Sequence, residues 1–367
     1  MFTAVDRPLL YATFALLIGG LLILSSASMV ASQQNFGTIG YFVLRQLLFG
    51  GGLGMAALLL FSRIKYRFWK KAALPLMMLS FVLLALLFIP ELSYSVGEAR
   101  RWLSLGFLSF QPSEILKLAF VVYLASWLDE RRQDVASVSY GMIPFIIMLS
   151  IVGIFLLMQP DLGTMGVIVV TAGILYFLGG GRKYQMVSLV AAGLMLFYFV
   201  VRLADYRLAR IAVFLNPSLD PQGVGYQINQ ALIAIGSGGF WGLGFGKSLQ
   251  KYSYLPEPMG DSIFAIFSEE MGFLGALLLL LLFVFLFWRG MVIARSAPDV
   301  FGRLLGAGIS ISIMTQVFIN MAAISGLLPL TGIPLPFVSY GGTSLAITLA
   351  SVGILLNISK YSKVTNS

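Results

Sequence analysis

Long apolar runs alternate with short polar or Gly/Pro-rich interruptions along the whole chain. They fall at about 9–30, 41–62, 72–90, 112–128, 141–158, 163–181, 184–203, 262–287, 303–325 and 341–358. A run of roughly 20 apolar residues crosses a hydrocarbon core as a helix, so the pattern predicts an all-α polytopic membrane protein with about ten transmembrane helices. The first run is long and lacks a small-residue cleavage pattern after a short core, which predicts a retained helix. No interruption is long enough for a conventional soluble domain, so residues 1–367 are expected to form a single integral membrane domain. The longest interruption, 204–261, precedes the eighth run. Within it Ile228, Leu232 and Ile235 recur at helical spacing opposite Gln227 and Gln230, which predicts a short amphipathic helix in the membrane interface.

Composition narrows the chemistry. Hydrophobic residues make up 59% of the 367 and charged residues 11%, a balance no water-facing surface sustains. The absence of cysteine and histidine excludes disulfides, thiol nucleophiles and imidazole catalysis, leaving proton transfer to Asp, Glu, Lys, Tyr or Arg. With the N-terminus inside, fifteen of the 24 Lys and Arg fall in inner segments and seven in outer ones. That asymmetry predicts cytoplasmic N- and C-termini and one long extracytoplasmic loop before the eighth helix. The run RIKYRFWKK, residues 63–71, is then a positive-inside anchor with interfacial aromatics, and the net charge of +9 calls for no nucleic-acid partner.

Polar residues gather in four outer segments. In SVGEARRWLSLGFLSFQPSEILKLA, 95–119, Pro112 stands at a helix start, and Glu114 and Lys117 are spaced to meet on one helical face. Arg100, Arg101 and Trp102 offer positive charge and an interfacial aromatic to an anionic headgroup. In QPDLGT, 159–164, Asp161 is expected to cap the next helix. The 204–261 connection adds Arg207, Arg210, Lys247 and Lys251; its GSGGFWGLGFGKS stretch lacks P-loop spacing and predicts no nucleotide site. The fourth, GLLPLTGIPLPFVSYGGTS, 326–344, is too rich in proline and glycine for continuous helix. Irregular backbone at membrane depth must be buried or line a cavity, which brings Ser339 and Tyr340 into the candidate set.

The segments FQPSEILKLA, QPDLGT, DPQGVGYQINQALIAIGSGGFWGLGFGKS, YLPEPMGDSIFAIFSEEMGFLGA and TGIPLPFVSYGGTSL, followed by VGILLNIS, together resemble the SEDS family (shape, elongation, division, sporulation), which includes the FtsW and RodA proteins. The resemblance spans about two-thirds of the chain, and its YLPEP and GIPLPFVSYGGTS motifs are more FtsW-like than RodA-like. It implies a ten-helix glycosyltransferase of the bacterial inner membrane that polymerises lipid II into peptidoglycan beside a class B penicillin-binding protein, a transpeptidase. The family's essential outer-loop aspartate matches Asp261. Many members have a His-Thr-Asp triplet there, whereas this chain has Met259-Gly260-Asp261.

A lone carboxylate at a loop–helix junction can serve as the base for glycosyl transfer, and Asp261 is expected in that role; the plainer alternative is an N-cap of the eighth helix, with which catalysis is compatible. The pool for substrate binding is Arg100, Arg101, Trp102, Glu114, Lys117, Arg207, Arg210, Lys247, Lys251, Ser339 and Tyr340. Lys117 either meets pyrophosphate or neutralises Glu114. Glu269 and Glu270 lie too far along the helix to share a reacting hydroxyl with Asp261, and at least one is expected to be buried. No cofactor is demanded; a divalent cation, Mg or Mn, could bridge Asp261 and pyrophosphate, but no metal-ligand cluster is evident. The rival readings are a lipid II flippase and a non-catalytic scaffold for the transpeptidase.

Overall fold

The computed structural model describes residues 5–96, 99–105, 108–202, 205–216, 219–220, 223–252 and 254–361. Helix α1 (Arg7–Phe36) starts where Asp6 accepts a hydrogen bond from the Leu9 N–H and ends at Gly37, whose φ of 69° only glycine adopts at ease. Tyr41–Arg45 (α2) runs through a π-helical stretch, Gln46–Gly52, into Leu53–Arg63 (α3), and Arg67–Leu86 (α4) follows. Beyond these come Pro112–Glu130 (α5), Ile143–Met158 (α6), Leu162–Leu178 (α7), Lys183–Arg202 (α8), Asp205–Leu215 (α9), Val224–Gly238 (α10), Ile263–Ser296 (α11), Val300–Ile324 (α12) and Gly342–Ser359 (α13).

Eight helical stretches are long and apolar enough to cross a membrane: α1, 41–63, α4, 138–158, α8, α11, α12 and α13. Their outward faces carry side chains such as Ile18, Leu60, Val190, Leu194 and Leu281, all at least half exposed, which is tolerable only against lipid. The apolar α7 is shorter. Helix α5 carries Glu114 and Lys117 inward, with most of its length buried. Helices α12 and α13 are the most enclosed of the spans, whereas α8 lies at the periphery. The α3–α13 seam is close because glycine permits it: a Cβ on Gly353 would stand 2.6 Å from the Leu58 carbonyl oxygen.

Two expectations need correction. The chain is not purely helical, since Ser93–Val96 (β1), Ala99–Leu105 (β2) and Leu108–Phe110 (β3) form an antiparallel sheet in that order. Short strands whose Leu103 is buried beside exposed or half-buried neighbours follow a period of two, which a search for apolar runs passes over. The 204–261 connection carries two helices, α9 and α10, rather than one. The side of α10 packed against the protein is Ile228, Ala231 and Ala234, whose small alanines admit a close neighbour, while Leu232 is exposed.

Helix α11 is not continuous. At Gly272 the backbone takes φ 64° and ψ −166°, and the glycine-rich loop enters the gap. Leu243 and Gly244 donate to the Glu269 and Glu270 carbonyls, and Phe273 and Leu274 donate to Gly239 and Phe240. The loop thereby satisfies backbone groups that the break would otherwise leave orphaned.

Candidate active site

The site forms where α5, α7, α11 and α13 begin and α12 ends. Pro112 opens α5, and Asp161 caps α7 by accepting from the Thr164 N–H at 3.1 Å and from the Ser113 hydroxyl at 3.2 Å. Residues 331–340 cross this end without helix and are tied down by amides. Gln46, in the π-helical stretch, donates to the Ser339 carbonyl and accepts from the Gly341 N–H. Gln316 donates to the Pro334 carbonyl, and Asn320, one turn later on α12, donates to that of Ile333.

Asp261 lies on the turn before α11. Three successive carbonyls of that turn are held: Met259 by the Tyr340 N–H at 2.8 Å, Gly260 by the Ser339 hydroxyl at 2.6 Å, and Asp261 by the Asn320 amide at 2.9 Å. The carboxylate itself is lightly restrained. Its contacts with Gln227 and Ser262 are all 3.4 Å, near the limit for a hydrogen bond. Nor does it cap the helix, because Ser262 is the N-cap and makes no side-chain cap bond. The capping alternative for Asp261 is therefore excluded by geometry. Burial pushes its carboxyl from the usual 3.8 up to about 6, the nearby Glu257 charge adds to the rise, and the Gln227 and Ser262 bonds oppose it.

Arg101 and Asp261 both approach Gly332. A Cβ built on Gly332 would be 3.9 Å from both Arg101 Nη1 and Asp261 Oδ2, and the φ of 68° also favours glycine. Arg101 donates one bond, to the Pro160 carbonyl, while its buried Nε has no partner. Among the described residues it forms no ion pair. Among the described residues the non-glycine positions with positive φ, Pro160 (30°), Glu257 (49°) and Phe337 (65°), all belong to loops around this site, the kind of position where backbone strain accompanies function.

Other expected residues separate into groups. Arg210 reaches the Leu330 carbonyl at 3.3 Å, on the loop that leads to Gly332, while the buried Arg207 donates to Val200 on α8. Trp102 pairs with Tyr94 on β1, next to a register shift that leaves Arg101 without a cross-strand partner there, and the Arg100 side chain lies outside the described residues. Lys117 pairs with Glu114 at 2.9 Å and also donates to Gln316; the adjoining cavity, about 30 Å³, has room for water and not for a sugar phosphate. Lys117 is thus a neutraliser of Glu114. Ser339 and Tyr340 support the Asp261 turn through the Ser339 hydroxyl and the Tyr340 backbone, and the Tyr340 ring packs edge-on against Phe42. Lys247 is exposed beside Gly244, on the glycine-rich loop.

Lys251 does not belong to the phosphate-binding pool. Its ammonium is fully buried against Glu270 at 3.0 Å, the Ser26 hydroxyl of α1 and the Gly246 carbonyl. A charge without water is held only by such a partner, and Glu270 at the α11 break supplies it. Glu269 accepts from the Leu249 and Gln250 N–H groups and the Ser248 hydroxyl. Both glutamates therefore anchor the 246–251 loop. Gln316 and Asn320, unmarked in the sequence reading, do have a signal: two amides spaced i, i+4 inside an apolar span. Gln227, on the polar side of α10, turns to Asp261. Among the described residues, no group of three or more Asp or Glu is arranged to hold a metal ion.

Known proteins extend the picture along the entire chain. Stage V sporulation protein E of Bacillus subtilis is 43% identical over 361 residues, covering 98% of both chains. The probable peptidoglycan glycosyltransferase FtsW of Trichlorobacter lovleyi is 40% identical over 357 residues, covering 96% of this chain and 93% of the relative. In three dimensions, a chain of a peptidoglycan synthase complex that coordinates polymerization and crosslinking superposes with a TM-score of 0.81 at 30% identity over 97% of this chain and 98% of its own. The rod shape determining protein RodA of Thermus thermophilus superposes with a TM-score of 0.72 at 29% identity, covering 98% of each. The FtsW/RodA/SpoVE model of a cell cycle protein matches residues 7–364, and on this agreement of sequence and fold the chain belongs to the FtsW/RodA/SpoVE family.

Proposed function

We propose that this chain is a peptidoglycan glycosyltransferase that polymerises lipid II into glycan strands at the outer face of the bacterial inner membrane, working beside a class B penicillin-binding transpeptidase. The observation that carries the reading is that Asp261 and Arg101 both approach Gly332, each 3.9 Å from where its Cβ would stand, and that among the described residues the carboxylate caps no helix and the guanidinium enters no ion pair. The full-length similarity to relatives named as probable peptidoglycan glycosyltransferases supports the reaction class. Adding α5, of 19 residues with Glu114 and Lys117 inside it, and the shorter α7 to the eight apolar spans makes ten crossings, with both termini cytoplasmic, in accord with the distribution of Lys and Arg.

Asp261, with its proton affinity raised by burial, accepts the proton of the acceptor sugar hydroxyl. That oxygen attacks the anomeric carbon of the lipid-linked strand with inversion, and the bond to undecaprenyl pyrophosphate breaks with its electron pair leaving on the pyrophosphate. Arg101 and Arg210, on the near side of the 330–340 loop, receive that charge. Asp261 and Glu257 are the two carboxylates that would help hold a divalent cation, which would neutralise part of the leaving-group charge. Held backbone and light carboxylate restraint suit a base that must reorient by a fraction of an ångström during proton transfer.

Reconstitution with purified lipid II and the partner transpeptidase tests the proposal. Native protein should yield polymer, and Asp261→Asn, extracted folded and in equal amount, should yield none. Equal polymer from both would remove Asp261 as the base. Lipid II movement across liposomes without polymer, unaffected by the substitution, would instead favour a flippase.

A further inference from the structure

We infer that a second anion site lies at the end of the bundle opposite Asp261, built to hold a phosphate group with an apolar body attached. A cavity of about 260 Å³ opens there among the ends of α5, α7, α11 and α12, lined by Arg132, Arg295 and Arg303 together with Leu178, Met291 and Leu304. Arg132 follows the end of α5, Arg295 and Arg303 stand on the adjoining ends of α11 and α12, and no Asp or Glu lines the cavity.

Neighbouring cations at this end are differently placed. Arg67 pairs with Asp299 at 2.9 Å, Lys70 with Asp129 at 2.7 Å, and Arg289 with Asp6, while Lys360 donates to the Ser62 carbonyl. Among the described residues, Arg132, Arg295 and Arg303 enter no ion pair. Like charges gathered around one concavity repel unless an anion sits between them. All three arginines are exposed, as are Arg63, Lys65 and Lys71; what sets Arg132, Arg295 and Arg303 apart is that they line one concavity, whereas positive-inside residues need only reach the headgroup layer singly.

The chemistry narrows the ligand. Guanidinium forks match phosphate oxygens in charge and geometry. The leucine and methionine walls would lie against an acyl chain, a combination that suits the phosphodiester of an anionic phospholipid; on the proposed topology this is the cytoplasmic leaflet. Inorganic phosphate shares the headgroup chemistry but leaves the apolar walls uncovered.

The test uses the full-length protein in detergent, titrated with phosphatidylglycerol, phosphatidylcholine or inorganic phosphate and read by native mass spectrometry and thermal shift. Each basic residue at an anionic surface contributes roughly fivefold, so Arg132→Gln/Arg295→Gln/Arg303→Gln should weaken phosphatidylglycerol binding by about 100-fold. The single Arg295→Gln should weaken it by roughly fivefold, which keeps the test valid if the triple variant fails to fold. The charge-matched control Arg63→Gln/Lys65→Gln/Lys71→Gln should stay near the native value. Phosphatidylglycerol binding well above that of inorganic phosphate assigns the site to lipid. Equal binding of both, lost with the same arginines, assigns it to the free ion. The inference is overturned if the control loses as much as the cavity variant, if no variant loses binding, or if an acidic peptide displaces the lipid and binds more tightly.

Discussion

Asp261→Asn should make the protein more stable while abolishing polymerisation. The native state keeps a partly desolvated carboxylate whose proton affinity has risen from 3.8 to about 6, so ionising it opposes folding. At about 1.36 kcal/mol per unit, the two-unit rise sets an upper bound near 3 kcal/mol, and solvent access to the turn makes a net gain of about 1–3 kcal/mol the working expectation. The sign follows from linkage: the folded-state value is raised, so the favourable contribution is present below pH 3.8 and lost as pH rises through about 6. Asparagine escapes that loss and can still meet Gln227. Thermal denaturation in detergent should therefore show the variant ahead of the native protein by a few degrees above about pH 6, with the gap about half closed at pH 5 and nearly closed at pH 4. A variant that melts earlier than native, or a gap indifferent to pH, would refute the argument and make the carboxylate a structural partner.

Three further outcomes follow from the same geometry. The polymerisation rate at subsaturating lipid II should rise about tenfold per pH unit below about 6 and level off above 7, reporting ionisation of Asp261; a flat profile over that range would assign the base elsewhere. Gly332→Ala places a methyl group 3.9 Å from both Arg101 and Asp261 at a φ of 68°, so polymer yield should fall at least about tenfold for roughly 1–2 kcal/mol of backbone strain, and native rates would show that substrate does not use this space. Lys251→Met leaves Glu270 buried without its cation and should cost about 3–5 kcal/mol. Adding Glu270→Gln should recover much of that loss, which a comparison of melting curves will read directly.

Local signals were legible in the sequence, and long-range ones were not. Pro112 at a helix start, Asp161 as a cap and the Glu114–Lys117 spacing each involve residues within four positions of one another, and each lies where expected. The apolar runs marked the helices because bilayer thickness sets a length that composition alone reveals. Asp261 as a catalytic candidate came from family resemblance; physics added that it caps nothing and that three neighbouring carbonyls hold its turn. The fate of Lys251 was hidden because its partners, Ser26 and Glu270, lie 225 and 19 residues away. Gln316 and Asn320 were overlooked because an amide inside an apolar span announces a partner without naming it. The sheet escaped notice because its strands are short.

The interruption at Gly272 divides α11 mechanically. The nine residues Ile263–Met271 are joined through their last carbonyls to the glycine-rich loop and through Glu269 and Glu270 to residues 248–251, while the longer remainder runs to Arg289 and its anchor at Asp6. A cylinder uninterrupted to Ser296 would couple Asp261 rigidly to the far side of the bilayer. The divided one is spliced instead: the loop accepts from the first N–H groups after the break and donates to the last carbonyls before it, so the turn that carries Asp261 is tied to the long portion through residues 239–244.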